Sequence, residues 1–320
     1  LVDCGPGVVR RAAAAARNGI AALSAEKLGI VFITHLHSDH TVGLPDLLLT
    51  PWVLERSTPL EVYGPTGVRA MSEHILAAWV EDIRVRNEGL EPEKSDGWQV
   101  HAHEIQPGVA YQDSNVKVTA IPVPHANWKR AYAYKFETRD RTIVISGDTR
   151  PNDALVQAAT GCDILVHEVY SAEKFKSRPV EWQRYHADAH TSTSELAAIA
   201  TRAKPRLLVL YHQLFWGTDD AGLVREVQRG YDGAVVSGKD LEVYREVKGE
   251  FGFRDDVQRV DLTRPAAEAP AKESLTAAER EREMTETRSK ITTLLAELQY
   301  LQKRIPSLHN PLLPRATLSD

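Results

Sequence analysis

The sequence predicts a layered α/β domain over residues 1–250, followed by a C-terminal helical extension. Short apolar segments rich in β-branched residues alternate with longer segments of helical periodicity, as expected of sheets flanked by helices. Several apolar segments end at a histidine or an aspartate, where α/β folds place their functional sites. The chain has 320 residues, 42% hydrophobic and 26% charged, so it is long enough to bury one large core.

The first half of the domain alternates predicted helices and strands. An alanine-rich run after two arginines predicts a helix over Val8–Ala25. The β-branched and aromatic segment Leu28–Ile33 predicts a buried strand, and Gly43–Leu54 is predicted to form the next helix. Leu60–Pro65 has the composition of a strand and turn. Gly67–Val85 predicts one long helix, because its apolar residues recur on one side.

The second half contains more predicted strands. Trp98–Ile105 and Val116–Val123 alternate in a way that is typical of half-buried strands. Tyr132–Thr138 and Thr142–Ser146 are separated by a short polar turn and predict a hairpin. The remaining predicted elements are a short helix over 153–159, a buried strand over 164–166, a helix over 193–203 capped by Thr191 or Ser192, and a strand over 207–210.

Four potential metal ligands lie on the loop after the predicted strand Leu28–Ile33. His35 and His37 alternate by two, so in extended backbone both imidazoles point the same way. Asp39 and His40 follow where the chain turns, and they can reach a second position nearby. Imidazole and carboxylate groups suit zinc, with manganese or iron as alternatives. The pattern therefore predicts a metal site at the end of this strand.

The motif His-x-His-x-Asp-His resembles the metallo-β-lactamase superfamily of binuclear metallohydrolases, and further stretches narrow the resemblance to its ribonuclease Z-like branch. These stretches are Leu1–Gly7, Ser146–Thr149, Val166–Val169, the triplet His190-Thr191-Ser192, and Leu208–His212. The resemblance implies a four-layer αβ/βα sandwich. In this family an additional strand precedes the point where this sequence begins, so we expect the first strand of the fold to be missing from this chain.

The resemblance also implies two divalent cations, with zinc as the expected metal and manganese or iron as alternatives. The seven implied ligands are His35, His37, His125 and Asp148 for one cation, and Asp39, His40, His212 and the same Asp148 for the other. Paired cations lower the pKa of a bridging water molecule and stabilise charge on a phosphoryl or acyl centre. The predicted reaction is therefore hydrolysis.

Catalytic roles for three side chains also follow from the resemblance. Asp39 can position the attacking water or accept its proton. His190 is expected to donate a proton to the leaving group or to contact the phosphate, and the alternative is a residue that only neighbours a helix cap. Glu168 is expected to orient His190 or a ligand, with a purely structural role as the alternative. His101 and His103 share the spacing of two but lack a following carboxylate, so we expect them to be ordinary surface residues.

The sequence does not decide which of two classes of bond is hydrolysed. A phosphodiester is favoured by the His-Thr-Ser triplet and by Trp128-Lys129-Arg130, which could supply stacking and cationic contacts or form an exposed hairpin tip. RNA is not favoured, because residues 64–96 predict a helix and an acidic linker instead of the long arm with which ribonuclease Z grips its RNA. A small ester, lactone, sulfate ester or β-lactam is the alternative. Five tryptophans could line its pocket: Trp52, Trp79, Trp128, Trp182 and Trp216.

The C-terminal part favours a third, non-catalytic hypothesis. Residues 251–273 predict a linker, 274–306 a helical extension and 307–320 a tail. The extension carries residues at alternating spacings of three and four, namely Met284, Thr287, Ile291, Leu294, Leu298, Leu301 and Ile305. Such a pattern is enough for a marginal coiled coil or for a helix docked on the domain. A self-associating scaffold is therefore an alternative, although the complete ligand set favours an enzyme.

Composition limits the partners and the compartment. The net charge of −5 provides no global basic field for nucleic acid. Cys4 and Cys162 offer no disulfide framework. No apolar stretch approaches the ~20 residues of a membrane span, so we expect no membrane partner. A cytoplasmic location is slightly favoured, and a secreted or periplasmic one stays open because the sequence begins inside the fold.

Overall fold

The computed structural model of the protein describes residues 1–91, 95–247 and 250–252. Its strands are β1 (Ile30–Phe32), β2 (Leu60–Gly64), β3 (Val100–Glu104), β4 (Gly108–Gln112), β5 (Lys117–Pro122), β6 (Tyr132–Glu137), β7 (Thr142–Ile145), β8 (Ile164–Tyr170), β9 (Leu207–Leu214), β10 (Val235–Ser237), β11 (Arg245–Val247) and β12 (Glu250–Gly252). Its α-helices are α1 (Val8–Arg17), α2 (Ser38–Thr41), α3 (Leu44–Val53), α4 (Val68–Ala78), α5 (Val80–Glu88), α6 (Asp153–Ala159), α7 (Ala172–Phe175), α8 (Val180–Ala189), α9 (Thr193–Ala203) and α10 (Asp220–Gln228).

Two sheets make up the body of the domain. The first contains β1, β2 and β3, which are parallel to one another. The second has the strand order β10-β9-β8-β7-β6-β5-β4. Its pairs from β4 to β7 are antiparallel, including the predicted hairpin of β6 and β7, and its pairs from β7 to β10 are parallel. Parallel neighbours need crossover connections, and helices provide them between β7 and β10.

Three apolar clusters separate the layers of the domain. Val31 belongs to a cluster in which α1 and α3 pack on the first sheet. Leu165 belongs to a second cluster, in which α6, α9 and α10 pack on the other sheet. A third cluster lies between the two sheets, where the ring of Phe32 is 5.5 Å from that of Tyr134. Helices therefore cover the outer faces of two stacked sheets, which confirms the predicted four-layer αβ/βα fold.

Some element boundaries differ from the sequence prediction. The first helix ends at Arg17, because Gly19 adopts the left-handed conformation with φ 93°. The single helix predicted over Gly67–Val85 is two helices, because the backbone leaves helical geometry at Trp79 (ψ 17°). No sequence prediction covers helix α8, in which only His186 and Ala189 of the ten residues are buried.

The predicted linker, helical extension and tail lie outside the described residues, apart from Phe251 and Gly252 in β12. The structure therefore does not test the self-association hypothesis. Across the part of the chain that is described, helices are too short or too polar to traverse a lipid bilayer.

Arg56 is a buried cation that holds three segments of the first half together. Its side chain is almost fully buried, and its guanidinium donates to the carbonyl oxygens of Leu28, Leu47, Leu48 and Gly97 at 2.7–3.0 Å. One of these bonds has a local cause. Pro51 lies inside α3 and has no N–H, so the carbonyl of Leu47, four residues earlier, lacks its usual helical donor. The Arg56 guanidinium replaces that donor.

We expect Arg56→Met to lower the free energy of unfolding by at least about 3 kcal/mol, because buried carbonyl oxygens would lose a charged donor. Urea denaturation of the full chain measures this loss. Arg84→Met is the matched control, since Arg84 forms exposed ion pairs with Glu81 and Glu88 along α5 and its removal should leave the unfolding midpoint nearly unchanged. Equal midpoints for the two variants would contradict the role assigned to Arg56.

Candidate metal centre

Three histidines and one aspartate converge beyond the end of β1. The Nε2 atom of His35 lies 2.9 Å from Nδ1 of His37, and Nε2 of His125 lies 3.2 Å from that same Nδ1 atom. The Oδ2 atom of Asp148 is 3.9 Å from Nε2 of His35. One ligand atom from each of these four residues lies within 4.8 Å of the others. We call these four residues the first ligand group.

A second ligand group, Asp39, His40 and His212, lies against the same aspartate. Its three ligand atoms are within 4.8 Å of one another. The Oδ2 atom of Asp148 is 3.4 Å from Nε2 of His40 and 3.5 Å from Nε2 of His212. The structure therefore brings all seven predicted ligand side chains to one place, and a single carboxylate contacts both groups.

Backbone geometry after β7 places Asp148, a member of the first ligand group, against the second ligand group as well. Gly147 has φ 60°, and a Cβ atom there would lie 2.7 Å from the carbonyl oxygen of Tyr132 and 3.0 Å from Cβ of Thr34. Only glycine fits this close approach without strain. The chain can therefore pass beside the end of β1, and the Asp148 side chain is buried next to His35.

His212 is presented by a bulge in β9. Glu168 pairs with Tyr211 and Val169 pairs with Gln213, so the intervening His212 has no partner in β8. Its φ of 46° departs from strand geometry. Bulges re-aim side chains beside functional sites. Here the bulge accompanies an imidazole whose Nε2 lies near Asp148.

Two of the ligand histidines are oriented by hydrogen bonds at their outer nitrogen atoms. His40 Nδ1 donates to Oδ2 of Asp3 at 2.8 Å, and His125 Nδ1 donates to the carbonyl oxygen of Ala189 at 2.7 Å. In both rings Nε2 is then the nitrogen that faces the centre, and it offers a lone pair to a cation once it carries no proton. Asp3 also accepts from the backbone N–H of Thr34 at 2.7 Å. No pattern in the sequence predicts this role of Asp3, although the residue lies in Leu1–Gly7, one of the segments that resemble the family.

Trp128 contacts the outer nitrogen of His37. Its indole Nε1 donates to Nε2 of His37 at 2.8 Å, and the two rings lie 4.9 Å apart at 88°. A neutral His37 that accepts this bond carries its proton on Nδ1, the atom that faces the first ligand group. A cation at Nδ1 therefore requires His37 to lose that proton or to exchange the hydrogen bond. While the indole is held there, its N–H is not free to contact a substrate.

The two groups differ in protonation when no cation is bound. Burial lowers the pKa of His35 to about 2 and also lowers the pKa of His125, so both rings are neutral at pH 7. Burial acts in the same direction on His40, but the nearby carboxylates of Asp148 and Asp3 outweigh it and raise the pKa of His40 to about 10. Burial alone would raise the pKa of Asp148, but the close contact with His40 and the positive charges of the nearby histidines hold it well below its usual range.

Buried polar atoms test whether these residues fit a cation. His40 Nε2 and Asp148 Oδ1 are buried and have no hydrogen-bond partner among the described residues. Such atoms cost free energy unless something pairs with them. Imidazole nitrogen and carboxylate oxygen are donors that zinc and similar divalent ions accept. The donor set and its unpaired atoms therefore fit divalent cations.

Glu168 connects the loop that carries Asp148 to the loop that carries His190. It is fully buried, and its Oε1 atom accepts from the backbone N–H groups of Thr149 and Thr191, each at 3.1 Å. The Nδ1 atom of His190 lies 3.3 Å from the same Oε1 atom and 3.8 Å from Oδ2 of Asp148. This geometry suits the predicted orienting role of Glu168, which stays a prediction.

His190 has two chemically reasonable roles in this position. Its ligand atom lies within 4.8 Å of those of Asp148 and His212, so His190 could bind a cation as well as donate a proton. Burial lowers the pKa of His190 to about 4, and burial together with the charge of Asp148 raises the pKa of Glu168 well above its usual range. The His190 ring is therefore neutral at pH 7 while the site lacks a cation or an anionic substrate.

His101 and His103 lie apart from the two ligand groups. His101 Nδ1 and His103 Nε2 each lie 2.7 Å from a carboxylate oxygen of Glu61 on the neighbouring strand. Both imidazoles are about half exposed, as expected of surface residues, but they are paired with an acid.

The five tryptophans do not line one pocket. Trp52 and Trp79 lie at helices that flank the first sheet, where Trp52 is buried and packs against the guanidinium of Arg86. Trp182 and Trp216 lie on the other side of the domain, and both contact the ring of His186.

Comparison with known proteins identifies the family. Residues 1–213 match the family model described as a β-lactamase superfamily domain. The ribonuclease Z of Mycobacterium sp. (strain KMS) is 36% identical over 218 residues, which cover 67% of this chain and 73% of that protein. The ribonuclease Z of Mycobacterium marinum is 31% identical over 269 residues, covering 82% and 88% respectively.

Solved structures share the fold. The metallo-β-lactamase fold protein YhfI from Bacillus subtilis superposes with a TM-score of 0.56 at 20% identity, covering 75% of this chain and 84% of that one. The short form of human tRNase Z has a TM-score of 0.53 at 22% identity, covering 75% and 85%. With the matched family and the clustered histidines and aspartates, the chain belongs to the β-lactamase superfamily and is a metal-dependent hydrolase of the ribonuclease Z type.

Proposed function

We propose that this chain hydrolyses phosphodiester bonds and that its two ligand groups hold two divalent cations, zinc under ordinary conditions. The position of Asp148 carries this proposal. Its Oδ2 atom lies 3.9 Å from His35 of the first group and 3.4 Å from His40 of the second. A carboxylate with two oxygen atoms can bind two cations at once. The relatives named ribonuclease Z support a phosphodiester as the substrate.

When bound, paired divalent cations make a water molecule more acidic and neutralise charge that develops on a phosphoryl group. The chain itself then has to position that water. The Asp39 side chain is 61% exposed at the mouth of the centre. The hydrogen bond from His212 holds the pKa of Asp39 below its usual range, so this carboxylate is ionised and weakly basic. We therefore assign Asp39 to orienting the attacking water through a hydrogen bond and not to removing its proton.

His190 is the proposed proton donor to the leaving oxygen, and Glu168 holds its ring. An anionic phosphodiester beside His190 would raise the pKa of His190, because a negative charge favours the protonated imidazole. The proton would then be available in the substrate complex, although His190 does not carry it at pH 7 before substrate binds. We assign Glu168 to orienting this ring, because its Oε1 atom lies 3.3 Å from Nδ1 of His190, and in this role Nε2 is left for the substrate.

Hydrolysis of bis(p-nitrophenyl) phosphate by the zinc- and manganese-loaded full chain tests the proposal. The metal content per chain should be near two, and p-nitrophenol release should stop when a chelator removes the metal and return when metal is restored. The ester p-nitrophenyl acetate, measured in parallel, separates the two substrate classes. A chain that holds two metals, cleaves the acetate and leaves the phosphodiester intact would favour the small-ester alternative. If the diester is cleaved, a short single-stranded RNA is the first natural substrate to test.

A further inference from the structure

Helix α8 carries a row of aromatic side chains that leads to the metal centre. Trp182 and Tyr185 are three residues apart, so they lie on neighbouring positions of one helix face. Their rings are 5.9 Å apart at 87°. The ring of Tyr185 is in turn 5.9 Å from that of His190, the residue that follows α8. We call Trp182 and Tyr185 the aromatic wall.

The aromatic wall is supported from behind and open to solvent in front. The ring of His186 stacks on Trp182 at 5.6 Å and 25°, and it also lies 4.7 Å from the ring of Trp216. His186 is only 7% exposed, whereas Trp182 is 50% exposed. The indole of Trp182 is therefore held in one orientation by a buried ring while much of its own surface stays accessible. Rigid support of this kind makes an exposed aromatic ring an effective surface for stacking.

Tyr185 lies close enough to the centre to interact with it electrostatically. Burial, followed by the charges of Asp148 and Asp39, raises the pKa of its phenol. Because the ring of Tyr185 is 5.9 Å from that of His190 and 5.9 Å from that of Trp182, a substrate whose scissile phosphate contacts His190 would place its next chemical group against these two rings. By contrast, the indole N–H of Trp128 is already donated to His37. Among the described residues around the centre, the aromatic wall is the better placed for a stacking role.

We infer that the aromatic wall binds a nucleobase of the substrate, on the nucleoside that carries the leaving oxygen. The inference rests on the proposed phosphodiesterase function and assigns base binding within that site to two named residues. His190, as the proposed proton donor, marks the leaving-group side of the phosphate, and Tyr185 is its aromatic neighbour on that side. Aromatic side chains bind bases of any sequence through their flat faces. The wall therefore selects for the presence of a base and not for its identity.

Binding of two small probes to the zinc-loaded full chain tests this inference without relying on turnover. Adenosine 5′-monophosphate contains the phosphate, the sugar and the base, and ribose 5-phosphate lacks only the base. By equilibrium dialysis or calorimetry, we expect the base to tighten binding by ~10-fold or more, as typical of one base stacked on an aromatic side chain. Trp182→Leu should remove most of this preference without changing the affinity for ribose 5-phosphate, and Trp182→Phe should retain most of it.

Trp79→Leu is the matched control, because Trp79 is 41% exposed and lies at the junction of α4 and α5. In the Trp79→Leu variant, the ratio of the affinities for adenosine 5′-monophosphate and ribose 5-phosphate should equal that of the unmodified chain. Equal affinities for the two probes, no measurable binding of adenosine monophosphate at millimolar concentration, or a preference that survives in Trp182→Leu would each overturn the inference. If one of these results is obtained with a chain that hydrolyses bis(p-nitrophenyl) phosphate, the base site is refuted and the proposed phosphodiesterase function stands. A Trp182-dependent preference in a chain that cleaves no phosphodiester would instead overturn the proposed function.

Discussion

Asp148→Ala should lose both bound metal and hydrolytic activity, which is the largest functional effect that we expect of a single substitution. The Asp148 carboxylate lies within 3.9 Å of His35, His40 and His212, so its removal deprives both ligand groups at once. It would also leave the nearby histidines without the negative charge that stabilises a cation. Metal content should fall from about two ions per chain towards zero, as measured by inductively coupled plasma mass spectrometry after gel filtration.

Two further variants make the Asp148 result interpretable. Asp148→Asn keeps the shape of the side chain and removes only the charge, so it should weaken metal binding even if the alanine variant folds poorly. Asp153→Ala changes an exposed aspartate of α6 that pairs with Arg202, and it should keep full metal content and activity. Two ions per chain in Asp148→Ala, with an unchanged circular dichroism spectrum, would show that Asp148 does not bridge the two groups.

His190→Ala should slow hydrolysis by ~100-fold or more while both metals remain bound, as expected when a general acid is removed. The size of the loss should depend on the leaving group. A p-nitrophenolate ion departs without much help, so the variant should lose less activity on p-nitrophenyl esters than on phenyl or alkyl phosphodiesters. Steady-state kcat across such a series, at saturating metal, measures this dependence.

The same series separates the two roles that the position of His190 allows. If His190 binds a cation, the variant should lose metal, and its activity should fall by a similar factor on every substrate. His101→Ala is the control, because His101 is half exposed and pairs with Glu61 away from the centre. Unchanged turnover of an alkyl phosphodiester by His190→Ala would remove its assignment as the proton donor.

The local part of the centre could be predicted from the sequence. Four of the seven predicted ligands lie between His35 and His40, and an extended backbone directs side chains two residues apart to one side. His125, Asp148 and His212 come from three separate strand ends, so their meeting depended on the family resemblance. The structure brings them together with the first four.

Contacts between distant segments could not be predicted in this way. Asp3 orients His40 across 37 residues, and Trp128 contacts His37 across 91 residues. No periodicity links such positions, since their proximity follows from how the two sheets stack. Helix α8 shows the same limit, because few of its residues are buried and its importance comes from lying next to His190.

By itself, the sequence determined the alternation of strands and helices and the local ligand motif, because hydrophobic periodicity and short-range spacing act along the chain. Only the tertiary structure decided how the centre is completed. It set one carboxylate between two ligand groups, directed the inner nitrogens of His40 and His125 towards the centre, and placed an aromatic wall beside His190. These features depend on distances of a few ångströms between residues far apart in the chain, and such distances arise only when the layers pack.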